Sequence, residues 1–182
     1  MTLRSLTCRM TSTPDELWAR LRDPAMSERR AALGGESSTV TVHDEDGAGR
    51  LRVGIDTAVP ESWMPAVVRG RLRGRSGFGL PTVRRVETWE RVGTDLDTDR
   101  AGDRQGGATG MDDIDGWMSL DIHGAPGDAS CEMHIAGAGE GSVVRYELSL
   151  TVNVPVVGRA IESAVLSRIE DVLERELEIL DG

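Results

Sequence analysis

The sequence predicts an α+β fold, in which a curved antiparallel sheet of about seven strands closes around one long C-terminal helix. Three observations predict it. First, from Val156 to Leu180 the chain keeps helical periodicity throughout, enough for a helix of roughly 37 Å. Ile161, Val165, Leu166, Ile169, Val172, Leu173, Leu177, Ile179 and Leu180 gather on one broad face. Second, seven segments before that helix alternate with period two. Third, helical periodicity otherwise appears only as two short segments after the first strand. A stripe as wide as that of the long helix needs a large apolar partner, and one face of the sheet supplies it. A sheet that curls around a helix commonly leaves a cavity between them.

Taken in order, Thr2 to Thr11 reads as a half-buried strand with Leu6, Cys8 and Met10 on one side. Thr13-Pro14-Asp15-Glu16 is a helix start, with Thr13 as N-cap, Pro14 at the first helical position and Glu16 completing a capping box. This helix buries Leu17, Trp18 and Leu21 and stops near Asp23-Pro24. A second runs from Ala25 to Leu33 and ends at Gly34-Gly35. Strands follow at Ser38–His43, Arg50–Val59, Thr82–Arg91, Ile114–His123, Ala129–Ala136 and Ser142–Val154. Pro60 to Arg69 reads as a short helix or apolar flap, and residues 93–113, rich in Gly, Asp and Thr, as a flexible loop that the fold does not need. The whole chain of 182 residues forms one domain.

Composition excludes several function classes. With 31 acidic against 21 basic residues the net charge is -10, which repels a nucleic-acid backbone and an anionic membrane surface. Every one of those basic residues is arginine, so a lysine Schiff base and a P-loop are both ruled out. Cys8 and Cys131, the only cysteines, fall on apolar strand positions and read as buried thiols of a reducing compartment. No signal peptide opens the sequence and no apolar run is long enough to span a bilayer, so a cytoplasmic protein without stable membrane insertion is expected. No motif implies a cofactor, and the oligomeric state is left open.

Two acids interrupt the apolar face of the long helix. Glu162 and Glu176 project within the arc of Val165, Ile169 and Leu173, where a carboxylate must be paired, hydrogen-bonded or neutral. Either could contact a ligand; alternatively Glu162 answers the helix dipole and Glu176 swings into water at a frayed end. Arg69, Arg71, Arg73 and Arg75 form a basic stripe, followed by Arg84 and Arg85. The stripe suits the anionic head of an amphipathic ligand, or balances charge on the surface. His43, His123 and His134 lack the spacing of any dedicated metal site. Asp95, Asp97 and Asp99 begin like a calcium loop but meet Arg100 where a glycine is required. No Gly-x-Ser-x-Gly elbow occurs.

Several phrases point to a family: Asp23-Pro24, Pro60 and Pro65, Glu87-Thr88-Trp89, Gly124-Ala125-Pro126, and above all Val154-Pro155-Val156-Val157-Gly158 running into Ile161-Glu162. Together with the element order they resemble the helix-grip fold of the START-like superfamily (SRPBCC), and within it the actinobacterial domain of unknown function 2505. Two features depart from that pattern: the Gly/Asp-rich stretch is longer, and the C-terminus lacks the usual tryptophan. The resemblance implies a hydrophobic or amphipathic small-molecule partner, lipid-like or polyketide-like, and more binding or transport than catalysis. Acid/base chemistry as in polyketide cyclases of this fold would draw on Glu87, His123 or Glu176. A ligand tail would lie against Val165, Ile169, Leu173 and Tyr146, with Trp63, Met64 and Phe78 flanking the entrance. A filled interior with a protein-docking surface is the structural alternative.

Overall fold

The computed structural model describes residues 1–35, 37–58, 82–93, 113–122, 127–152 and 158–182 of the chain. Strand β1 (Thr2–Met10) leads into helices α1 (Pro14–Leu21) and α2 (Pro24–Ala32). Six strands follow: β2 (Ser38–Glu45), β3 (Leu51–Ala58), β4 (Thr82–Val92), β5 (Asp113–Ile122), β6 (Gly127–Ala138) and β7 (Gly141–Val152). Helix α3 (Gly158–Asp181) ends the chain. The start of α1 is the one the sequence marks, and α2 begins at Pro24, one residue before the expected start. Thr13 accepts from the backbone N–H of Glu16 while Glu16 accepts from that of Thr13, and Asp23 caps α2 through the N–H of Ala25.

All seven strands make one antiparallel sheet in the order β1-β7-β6-β5-β4-β3-β2. The sheet is curled but unclosed, with β1 and β2 at its edges. Three cross-strand rows form its concave floor. One runs Leu6, Tyr146, Met133, Gly116, Trp89, Leu51; the next Leu148, Cys131, Met118, Glu87, Val53; the third Leu150, Ala129, Leu120, Arg85, Ile55. Most of these side chains are buried, so the apolar rows are the driving surface for the fold. Two charges stand among them on β4, and the site is built on that exception.

Close contacts fix the floor. At Gly116 any Cβ would lie 2.5 Å from the indole of Trp89, so only glycine lets the ring lie across β5. At Gly141 a Cβ would strike the carbonyl oxygen of Met10, where β7 begins against the end of β1.

Helix α3 packs closest on β7 and β1 and is fastened at both ends. Near its start the carboxylate of Glu162 accepts from the Thr2 hydroxyl at 2.6 Å and from the Val152 N–H at 2.9 Å. At its end Asp181 accepts from the N–H groups of Thr11 and Ser12, both at 2.9 Å, and Arg20 donates to the Leu180 carbonyl. Strand and helix therefore run side by side over the same roughly 30 Å, nine extended residues matching nineteen helical ones. Leu166, Leu173, Leu177 and Leu180 are buried beneath the helix.

Cys131 is buried and Cys8 half-buried, and both are free thiols. Burial pushes the Cys131 thiol up to about 12. Among the described residues no helix is long and apolar enough to cross a membrane.

Candidate functional site

Four charged side chains meet between α2, β4 and α3. Arg30 comes from the buried stripe of α2, which it shares with Met26, Ser27 and Ala31. Arg85 and Glu87 come from the concave face of β4, and Glu176 from the buried side of α3, five residues before its end. Their side chains are 1%, 11%, 0% and 1% exposed respectively. Arg30 Nη2 donates to both oxygens of Glu87 at 2.7 and 2.9 Å and to Glu176 Oε2 at 3.0 Å. Arg85 donates to Glu176 at 2.5 Å from Nη1 and 2.7 Å from Nη2, and its Nη2 also pairs with Glu87. The indole N–H of Trp89, laid over Gly116, completes the set by donating to Glu87 at 2.8 Å.

Two guanidiniums and two carboxylates leave the cluster neutral in sum. Burial alone would raise the Glu87 carboxyl; the guanidiniums of Arg30 and Arg85 and the hydrogen bonds from Arg30 and Trp89 outweigh it and hold it down at about 2. Burial likewise opposes the charges on Arg30 and Arg85, and the two carboxylates overcome it, so both are held above the ordinary arginine value. The nearby Tyr146 hydroxyl is driven well above the usual phenol range, chiefly by burial. The cluster is not fully saturated. Arg30 Nη1 and Arg85 Nε are buried and find no acceptor among the described residues.

The residues the sequence nominates fall into four groups. Glu176, Leu173 and Tyr146 share the interior with the cluster. Val165 and Ile169 lie on the flank of α3 as half-buried side chains packed against the core, as does Ile179, and Val172 is half-buried as well. Glu162 is buried on the same helix face but about 21 Å away along the axis, bound to Thr2 and Val152. The side chains of Trp63, Met64, Phe78, Arg69, Arg71, Arg73 and Arg75, with His123 and the 95–99 aspartates, lie outside the described residues. Glu176 is locked in the interior, not swung into water.

Sequence reading did not find Arg30, and it left the facing of Arg85 and Glu87 open. Arg84 and Arg85 in fact part company: Arg84 turns outward to Asp56 at 2.9 Å, while Arg85 turns in. A faint signal for Arg30 exists, since it stands four residues after the buried Met26 on a short helix.

Two other clusters carry less. His43 ties α2 to the sheet through Ser27 at 2.9 Å and the Arg22 carbonyl at 3.0 Å, and His134 pairs with Asp115 at 2.6 Å on the outer face. Among the described residues no group of three or more His, Cys, Asp or Glu could hold a metal ion. An open cleft of about 610 Å³ lies beside Trp18, Glu45, Arg50, Glu90 and Arg91. Its Glu45, Arg50 and Arg91 pair with Arg22, Asp46 and Asp15.

No curated protein matches the chain. Among solved structures, TTHA0849 of Thermus thermophilus superposes over 99% of this chain and 94% of its own, with TM-score 0.54 and 13% identity. A conserved protein of Geobacillus kaustophilus covers 98% and 95% at TM-score 0.50 and 12% identity. A START superfamily protein of Mycobacterium smegmatis covers 97% and 94% at TM-score 0.45 and 13% identity. The family model described as "Protein of unknown function (DUF2505)" matches residues 5–182. This chain, a curled sheet gripping its last helix, therefore belongs to the DUF2505 family.

Proposed function

We propose that the protein binds or carries an apolar or amphipathic, lipid-like small molecule between the sheet and α3 without transforming it. The observation that carries this reading is the charged cluster inside the grip. Buried ion pairs are poor sources of stability, because apolar residues of similar volume often do as well or better. A fold that needed only a core would gain by replacing Arg30, Arg85, Glu87 and Glu176. Polar groups kept at the bottom of an apolar space are what a ligand pocket uses to orient its guest. The half-buried flank of Val165, Ile169, Val172 and Ile179 offers the apolar wall beside them.

The state of Glu87 in this cluster argues against its use as a general acid or base. A general acid or base works best with its pKa near the operating pH. Glu87 is held far below neutrality, and Arg85 and Tyr146 far above it. A cyclase-like enzyme would want at least one of them poised between.

A second reading has its own observation: the four charges satisfy one another across three elements, as a structural lock would. Native mass spectrometry of the purified protein, with extraction of whatever co-purifies, separates the two. The binding reading predicts an extra mass that organic solvent extracts. A bare chain that also takes up nothing from a broad fatty-acid and lipid panel would leave the lock.

A further inference from the structure

Resting on that binding reading, we infer that the buried part of the ligand carries an uncharged oxygen acceptor, such as a ketone, ester carbonyl or hydroxyl, received by Arg30 and Arg85. The ligand is then neither a plain hydrocarbon nor a molecule that sends its carboxylate inward. Arg30 Nη1 and Arg85 Nε each carry an N–H that is buried and has no acceptor among the described residues. Guanidinium protons cannot be shed at accessible pH, so these donors cannot be silenced by titration. An unsatisfied buried donor is costly, and an incoming acceptor removes that cost.

Charge decides which acceptor. The cluster already sums to zero, with two guanidiniums facing two carboxylates. A third carboxylate among Glu87 and Glu176 would bring an uncompensated negative charge into an interior that holds none spare. A neutral oxygen accepts the same hydrogen bonds without that penalty. Both orphan nitrogens are closed off from solvent in this structure, so the acceptor must arrive with some shift of the side chains around them. Arg30 sits on a helix of nine residues and Arg85 in a long strand, which makes α2 the more movable of the two supports.

The test uses three ligands of one chain length: dodecane, methyl decyl ketone and dodecanoate. Each is titrated against Nile red bound to the full-length protein. The ketone is expected to bind at least about tenfold tighter than dodecane, as hydrogen bonds from charged donors allow. It should also beat dodecanoate by a similar factor. In the charge-balanced double variant R30M/E87Q, which retains the Arg85–Glu176 pair, the advantage over dodecane should fall to about threefold or less. Equal affinity for all three ligands, or a preference for dodecanoate, overturns this inference and leaves the binding reading standing. If none of the three displaces dye and no lipid binds by mass spectrometry, the binding reading itself fails. Should the double variant not fold, the wild-type series decides alone.

Discussion

Glu176 accepts from two arginines at once, through four contacts of 2.5 to 3.2 Å. Its removal therefore does more than delete one side chain, because Arg30 and Arg85 would be left facing only Glu87 in the buried interior. Glu176→Ala should destabilise the fold by about 3–5 kcal/mol, the usual cost of stranding a buried charge. Urea unfolding measures it, and a loss below about 1 kcal/mol would show that the cluster relaxes to water. Glu87 makes a companion prediction about pH. Its folded pKa lies at about 2 against an ordinary 4.5, so the unfolded chain binds its proton first as the pH falls. The contribution is complete above about pH 5 and drains away towards pH 2, with the thermal midpoint falling along the way. Between about pH 5 and pH 3 the R30M/E87Q chain should lose less of its midpoint than the wild type.

At the scale of elements, the two ends of α3 are fixed by one carboxylate each. Asp181 satisfies the N–H groups of Thr11 and Ser12, where β1 ends and no ladder partner continues. Asp181→Ala should cost about 1–2 kcal/mol for those bonds. Amide exchange should speed up in the last turn of the helix and not at Leu166. Uniform acceleration along α3 would mean that the helix is held as one rigid piece by its leucines. The long helix and its buried acids were legible in the sequence because a period of about 3.6 over many turns leaves little freedom in which residues share a face. Glu162 and Glu176 were found that way. β4 was not legible in the same sense: Arg85 and Glu87 alternate with Arg84, Val86 and Thr88, so hydropathy marks neither face as inner. Only the register to β3 and β5 sets which charges point in. Arg30 was missed because a helix of nine residues gives too few turns to define a stripe, and arginine reads by default as a surface residue.

For the whole molecule, the element order was enough to reach the fold, since an alternating sheet and one wide helical stripe have few ways to bury each other. Residues 94–112 join β4 to β5, and Val92 pairs directly with Asp113, so the two ends of that connection already stand side by side. We propose that the connection adds nothing to folding, as its few apolar groups cannot offset its ordering entropy. Replacing 94–112 by a short hairpin turn should leave the thermal midpoint unchanged or slightly higher. A drop of many degrees would show that the segment packs on the domain.

The claim that the interior is a binding site is tested most directly at Val165, half-buried on the flank of α3. Lipid titration of the wild type and of Val165→Trp, followed by native mass spectrometry, asks whether filling that flank removes the guest. The account predicts one bound molecule per wild-type chain and none, or at least about tenfold weaker binding, on a Val165→Trp chain that unfolds at the same temperature. Equal binding by both chains, or none by either, would contradict it.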